Sequence, residues 1–204
     1  MPAKGGRYHH GDLRSALVDA AIGVIAERGV RGFSLAEATR RLGVTTAAPY
    51  RHFTDRDELL AAVAARALSV FGAMLSDAAG TADTPARRLA VMAGAYVKFA
   101  AQQRPLFDTL FSSGLDKTRH PELQRAWELV DALLTAVPLE VCEGDPAAAE
   151  ALSDAIEASA HGYAMLLNDG EYGDGPDAVD ATADRAVAAA RALIAGRRAL
   201  RTTP

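Results

Sequence analysis

Residues 45–51 carry the side chains best suited to contact another molecule. The hydroxyl groups of threonine and the guanidinium of arginine can hydrogen-bond to base edges in a DNA groove, whereas alanine can only touch a thymine methyl or allow a close approach. The candidates for base contact are Thr45, Thr46, Ala47, Ala48 and Arg51. Arg51 can read guanine or bind a phosphate, and its type alone leaves both roles open.

Two short helical patterns flank residues 42–45, a spacing that predicts a helix-turn-helix. Ser34 can cap the first helix, and Glu37, three residues later, can complete a capping box. This helix is expected to start at Leu35 and to bury an apolar face, with Glu37 and the two arginines that end it towards solvent. Gly43 supplies the left-handed residue that closes it.

The second helix of this pair is expected to run from its cap Thr45 through Tyr50 towards His52. Pro49 removes one backbone donor from it and biases Ala48 away from helical dihedral angles. Within a first turn this is tolerable, because the amides there have no partner inside the helix. The sequence therefore predicts a short α-helix that exposes its first turn.

Residues 7–60 resemble the DNA-binding head of the TetR family of bacterial one-component transcriptional regulators. The resemblance is carried by an apolar first helix ending at Gly29 and by three short runs, Phe33-Ser34, Leu42-Gly43-Val44-Thr45 and Tyr50-Arg51-His52-Phe53. The opening residues 8–14 and the run Ala160-His161-Gly162-Tyr163 also resemble one subgroup of the family that has a His-Gly element in its distal domain.

The resemblance implies a division of labour among the polar residues of the head. Tyr50, His52 and Arg56 match family positions that contact phosphate. Ser34 lies at the start of the first helix of the pair, where its hydroxyl and the backbone amides can also contact a phosphate. Such contacts fix the register of the protein on DNA, and a two-fold dimer would read an inverted-repeat operator.

Charge is distributed unevenly along the 204 residues. The net charge is −4, yet residues 1–54 hold eight Lys or Arg against four Asp or Glu, and the remainder holds 14 against 22. This asymmetry puts a positive potential on the head and keeps the rest from binding nucleic acid. The predicted domains are a helix-turn-helix head at 1–54, with a leader at 1–10, and a ligand-sensing and dimerisation domain at 55–204.

Prolines and glycines divide the chain beyond the head into further helices, with little sign of strands. Asp55 and Glu58, at capping-box spacing, open a long helix that continues to about Ala79. A later helix that opens at Pro121 is expected to close at Pro138. The fold class is all-α with about nine helices, nine being typical of the family.

The last two predicted helices carry long faces rich in small side chains, which allow helices to approach closely. Two such helices from each of two subunits would form the four-helix bundle that the resemblance implies. The alternative is that the alanines reflect general composition and pack only within the subunit. The candidate homodimer contacts are Ile156, Tyr163, Val187, Ala190 and Ile194.

The resemblance also implies a small-molecule effector bound among the central helices. Aromatic and methionine stripes there predict an apolar or aromatic ligand, although such stripes more often fill a core. His161 is the best polar candidate, and a structural histidine is the alternative. The candidate lining residues are Met92, Tyr96, Phe99, Phe107, Phe111, Trp127, His161 and Met165.

Catalysis has little support in the sequence. The nucleophile-elbow, zinc-protease, phosphate-loop and CxxC motifs are all missing, and no catalytic residue, metal site or cofactor is predicted. The acidic loop at 168–176 lacks the spacing of a calcium-binding loop. The single cysteine, Cys142, cannot form an internal disulfide, and no apolar run is expected to reach the length of a membrane span. A cytoplasmic protein with no membrane partner is therefore expected.

The prediction is a homodimeric transcriptional regulator, a ligand-released repressor that binds duplex DNA at an inverted repeat. Repression is a tendency of the family, because the same geometry can activate. Two alternatives remain: a DNA-binding protein without effector control, and a helical enzyme or scaffold that retains the head. Neither alternative would show the operator preference and effector release of the first.

Overall fold

A computed structural model describes residues 10–200, with side chains from residue 13. Within that range the chain is helical and contains no strand, which confirms the all-α fold class. The residues predicted to form a leader, 1–10, lie outside the description except His10, where the first helix begins. The α-helices are α1 His10–Arg28, α2 Leu35–Leu42, α3 Arg56–Gly80, α4 Pro85–Gln102, α5 Arg104–Ser112, α6 Pro121–Val141, α7 Pro146–Asn168 and α8 Pro176–Ala195.

The described residues form eight α-helices and three short 3₁₀ helices. The predicted number was about nine, and the difference lies in the head, where Pro49–Arg51 is a 3₁₀ helix instead of an α-helix. The other two 3₁₀ helices, Lys117–Arg119 and Arg197–Leu200, precede α6 and follow α8.

The chain divides into two compact units that interleave along the sequence. Unit 1 contains the residues up to Ala67 together with Pro105–Gln124, and unit 2 contains Leu68–Arg104 and the residues from Arg125 onward. Helix α3 therefore starts in unit 1 and ends in unit 2. The domain boundary expected from the sequence lies between residues 54 and 55 and stays a prediction.

Helix α2 begins and ends where the sequence predicts. Ser34 has extended dihedral angles and its Oγ accepts a hydrogen bond from the Glu37 amide at 3.2 Å, while Gly43 closes the helix with φ 64°. The second half of the capping box is wrong: the Glu37 carboxylate bonds to Arg40 at 2.7 and 3.1 Å and pairs with Arg28 at 3.2 Å. Its side chain is only 12% exposed, because two guanidinium groups cover it.

Helix α3 opens at the predicted caps. The Asp55 carboxylate accepts from the Glu58 amide at 2.8 Å, and the Glu58 carboxylate accepts from the Thr54 amide. The helix is long and apolar enough to cross a membrane, with mean hydropathy 1.8 over 18 residues, so the expectation that no run reaches this length is wrong. Because 61% of that window is buried, α3 is a core helix of the fold.

Unit 2 is built around α4, α7 and α8, which pack against one another. Thr84 caps α4 by accepting from the Arg87 amide, and Asp145 caps α7 by accepting from the Ala148 amide. The two helices α4 and α8 approach closely at Gly94, where an added Cβ would lie 2.8 Å from Cγ2 of Val187. The absence of a side chain at Gly94 therefore allows α4 and α8 to pack closely at this point.

Helix α6 continues past the proline that was expected to close it. Pro138 lies inside the helix, which ends at Val141. The Pro138 carbonyl accepts a hydrogen bond from the Cys142 amide at 2.9 Å. A proline removes one backbone bond, yet the helix continues for three residues beyond Pro138, whose ring is buried. Cys142 is buried, and burial raises the pKa of its thiol.

Candidate nucleic-acid interface

The segment 45–52 is a turn followed by a 3₁₀ helix, which corrects the predicted α-helix. The Ala48 amide donates to the Thr45 carbonyl at 3.0 Å, and the His52 amide donates to the Pro49 carbonyl at 2.8 Å. Pro49 has no amide hydrogen, so the ladder cannot continue through it. Ala48 keeps helical angles of φ −62° and ψ −41°, contrary to the expected bias, and caps the 3₁₀ helix without a side-chain bond.

Two buried residues hold this segment in place. Pro49 is buried and lies on the 3₁₀ helix that packs against α1, and Phe53 is 1% exposed with the Arg14 guanidinium 5.1 Å from its ring centroid. Pro49 and Phe53 are buried, whereas the predicted contact residues around them are half-buried or exposed. Ala48 and His52 are half-buried, and the exposed ones are Ser34, Thr45, Thr46, Ala47, Tyr50 and Arg51. Tyr50, at 61% exposure, is a large apolar ring left in solvent.

Most arginines of the head already have carboxylate partners. Arg14 pairs with Glu122, Arg41 pairs with Glu27, and the Glu37 carboxylate serves two more arginines. Among the arginines that the structure describes between residues 13 and 54, those without an ion pair inside the described range are Arg31 and Arg51. Arg51 therefore combines exposure, an uncompensated charge and a place beside Tyr50.

Arg56, the third predicted phosphate contact, is engaged within unit 1. Its Nη2 donates to the Val30 carbonyl at 2.9 Å, and its Nε donates to the Phe33 carbonyl at 3.2 Å. Its Nη1 donates to Asp57 Oδ1 at 3.1 Å, and the guanidinium carbon lies 5.7 Å from the centroid of the Phe33 ring. The guanidinium thus has partners on three sides.

The predicted effector residues lie in both units, and several are core. Met92, Tyr96 and Phe99 on α4 are at most 6% exposed, and the Phe71 ring packs against the last two at 5.3 and 4.9 Å between centroids. Phe107 and Phe111 belong to unit 1 and stack on each other at 4.8 Å. Trp127 is half-buried and Met165 is 40% exposed.

Tyr96 and His161 form a polar pair inside unit 2. Tyr96 Oη lies 2.8 Å from His161 Nδ1. Burial, and secondarily the Glu157 carboxylate, raises the pKa of the Tyr96 phenol well above its ordinary value. The phenol therefore stays protonated, and a phenol hydroxyl can donate to Nδ1 or accept from it according to the tautomer of the imidazole. The histidine that the sequence favoured as a ligand contact has a structural partner.

Of the five residues expected at a dimer interface, three are buried within the chain and two are half-buried. Ile156, Ala190 and Ile194 are 6%, 1% and 7% exposed, and Val187 lies against Gly94. Tyr163 is half-buried beside Tyr172, at 6.1 Å between ring centroids. Helical period alone identifies a face rich in small residues, and the role of these five residues in a dimer stays a prediction.

Unit 2 also contains an apolar groove that the sequence reading missed. Its volume is about 380 Å³, and it lies between α3 and α6. Leu129 on its rim is 76% exposed, and Gly72 approaches Val130 so closely that an added Cβ would lie 3.2 Å from it. The spacing of Ala126, Leu129 and Leu133 on a helix could have indicated a second apolar face. The groove is lined by Leu68, Ser69, Gly72, Ala73, Ser76, Ala126, Leu129, Val130 and Leu133.

Comparisons with known proteins agree with this architecture. The family described as "Bacterial regulatory proteins, tetR family" matches residues 17–63, and the family described as "Tetracyclin repressor-like, C-terminal domain" matches residues 89–190. The HTH-type transcriptional regulator BetI of Brucella anthropi is 33% identical over 90 residues, which are 44% of this chain and 45% of that protein. The chain thus spans less than half the length of the curated relatives it matches.

Two solved structures from Rhodococcus RHA1 share the fold. A protein of unknown function is 30% identical with a TM-score of 0.76, and the match covers 92% of this chain and 98% of the other. A bacterial regulatory protein of the tetR family is 19% identical with a TM-score of 0.71, covering 89% and 96%. At that lower identity the likeness is one of fold alone.

Proposed function

Because the chain belongs to the TetR family and is a DNA-binding transcriptional regulator, we propose that it is a homodimeric repressor that binds an inverted-repeat operator and is released by a small apolar effector. The observation that carries the proposal is the exposed surface of residues 45–51, held by the buried Pro49 and Phe53. We further propose that the protein acts in the cytoplasm and regulates transcription without catalysing a reaction. Two copies would present two such surfaces to symmetric half-sites.

On DNA, Tyr50 and His52 set the register through phosphate, and Thr45, Thr46 and Arg51 meet base edges. The exposure of Tyr50 supports this role. Its ring is 61% exposed in the free protein, and hydration of so much apolar surface is unfavourable, whereas contact with DNA would cover part of the ring. Ala47 and Ala48 allow a close approach. Ser34 offers its hydroxyl and nearby amides, although that hydroxyl also caps α2.

In vitro selection of duplexes from a random pool by the purified protein tests this role. Enrichment of an inverted repeat supports the dimeric regulator, and affinity without an enriched motif would favour an architectural DNA binder. On the selected duplex, Arg51→Ala should lower the slope of log affinity against log salt by about one unit. The matched control is Arg87→Ala, an exposed arginine of α4 that should leave the slope unchanged.

For dimerisation we propose the outward face of α7. Met165 and Leu166 are 40% and 42% exposed there, and a Cβ added to the neighbouring Gly162 would meet nothing within 4 Å of the chain. Gly162→Leu should therefore spare the protomer and weaken the dimer, measured by sedimentation against concentration. Gly80→Leu, which also has open space around it, is the control. An unchanged dimer in Gly162→Leu would place the interface elsewhere.

For the effector we propose the apolar groove between α3 and α6. Its volume lies in the range of small-molecule sites, and the serines in its lining supply the few polar groups that such sites contain. Since α3 belongs to both units, a ligand that displaces it can shift the population of DNA-binding conformations. Ala126→Trp should fill the groove and abolish binding of 1-anilinonaphthalene-8-sulfonate, an anionic dye whose aromatic rings bind apolar sites, while leaving DNA binding intact. Undiminished dye binding would exclude this groove.

A further inference from the structure

The loop that joins α1 to α2 holds two carbonyl groups in fixed positions. Gly29 has φ 68°, a left-handed conformation, and a Cβ on Gly32 would lie 2.5 Å from the Arg28 carbonyl oxygen, so only glycine fits there. The side chains of Val30 and Phe33 are 6% and 3% exposed and anchor the loop from inside. The carbonyls of these two residues are therefore preorganised acceptors.

Arg56 connects this loop to α3. Its planar guanidinium reaches both carbonyls at once, at 2.9 and 3.2 Å, which the point charge of a lysine cannot reproduce. Bonds from an ionised donor are stronger than neutral ones. Phe33 directly precedes Ser34, the cap of α2, so the first residue of α3 is joined to the start of the helix-turn-helix.

The charges around Arg56 do not favour a phosphate. Three acidic residues lie next to it in the sequence, Asp55, Asp57 and Glu58. The guanidinium already forms an ion pair with the Asp57 carboxylate at 3.1 Å. A phosphate approaching this turn would meet three carboxylates. By contrast, the uncompensated Arg51 lies on the exposed surface of 45–51.

We propose that Arg56 is a positioning residue that fixes α2 relative to α3, and not the phosphate contact that family resemblance implies. The inference rests on the proposed operator binding and deepens it: any displacement of the start of α3 is transmitted to the cap of α2 through two carbonyls. Arg56 then governs DNA affinity without touching DNA.

The first test compares Arg56→Lys, Arg56→Ala and Arg51→Ala on the selected operator over a range of salt. If Arg56 acts as a positioning residue, both Arg56 variants should lose DNA affinity by about tenfold or more. The salt slope should stay unchanged, because the lost hydrogen bonds lie inside the protein. Arg51→Ala serves as the reference for a lost external charge. Near-wild-type affinity in Arg56→Lys, together with a slope lowered by about one in Arg56→Ala, would identify a phosphate contact and overturn the proposal.

The second test needs no DNA, so it stands even if operator binding fails. Hydrogen exchange of the free protein should be about tenfold faster at the amides of Glu37 and Ala38 in Arg56→Lys than in wild type, because both amides bond to Ser34. The amides of α8 are the internal control and should not change. Equal hydrogen-exchange rates at Glu37 and Ala38 in Arg56→Lys and wild type would overturn the proposed positioning role of Arg56. A wild type that selects no operator would instead contradict the proposed function.

Discussion

Helix α2 and the segment 45–52 stand side by side in one motif and are held by different forces. Local bonds define α2, with Ser34 at its start and Gly43 at its end. The segment 45–52 has no side-chain cap on its 3₁₀ helix, and the buried Pro49 and Phe53 hold it instead. The part of the head predicted to read bases therefore depends on buried side chains more than α2 does.

The largest expected effect is on the anchor of segment 45–52. Phe53→Ala removes a ring that is 1% exposed, and we expect it to lower the free energy of unfolding by about 3–5 kcal/mol. Urea denaturation at a fixed protein concentration measures this. Phe111→Ala, which truncates a 41% exposed ring, should cost clearly less. Equal losses in the two variants would break the contrast between packed and local stabilisation.

A smaller effect is expected in the loop before α2. Gly32→Ala places a Cβ against the Arg28 backbone carbonyl, which cannot move cheaply, and should cost about 1–3 kcal/mol. Gly80→Ala, at the open end of α3, is the control and should not lower stability. Thermal unfolding of both variants decides the matter. A stable Gly32→Ala would show that this loop is less rigid than the two helices it joins.

The two predicted caps should differ when each is removed. Ser34→Ala loses the bond to the Glu37 amide and should cost about 1 kcal/mol. Thr45→Ala should stay within about 0.5 kcal/mol, because Ala48 and not Thr45 caps the 3₁₀ helix. Chemical denaturation of the two variants measures both changes in the free energy of unfolding. A Thr45→Ala loss as large as that of Ser34→Ala would make the two elements alike.

The smallest effect concerns pH at α2. The hydrogen bond from Arg40, helped by the charge of Arg28, lowers the pKa of Glu37 below its ordinary value. A lowered carboxyl pKa contributes stability above the pKa of the unfolded chain, about 4.3, and that contribution is lost as the pH falls through the folded value. Wild type should therefore exceed Glu37→Gln in stability at pH 6, and the gap should close in acid. In an Arg40→Ala background the pH dependence should shrink, and persistence there would assign it to other groups.

Much of the fold could be predicted because its helix ends are set by bonds between near neighbours. Ser34, Thr84 and Asp145 each cap a helix through an amide three residues later, and the sequence shows both partners. Pro138 was misread for the opposite reason. Whether a proline ends a helix depends on what packs around it, which a local pattern does not contain.

The candidate site was less predictable from sequence. Helical period placed Ile156 on one helix face and Ala190 and Ile194 on another, but period does not distinguish an interface from a core. All three are buried within the chain, and their contact with a second copy stays a prediction. The aromatic stripe of α4 is likewise buried, and its contact with an effector stays a prediction. Arg56 shows the same limit, since its partners Val30 and Phe33 are distant in sequence and offer backbone atoms that no motif records.

The interleaving of the two units has a consequence for biosynthesis. Unit 1 includes Pro105–Gln124, so a nascent chain cannot complete it when the first 67 residues have left the ribosome. Domains that are continuous in sequence can fold one after another during translation, whereas this order requires the helices of residues 68–104 to emerge in between. Unit 1, which contains the proposed DNA-binding surface, is therefore completed late, and a truncated translation product that carries the whole helix-turn-helix would still lack residues 105–124 of this unit.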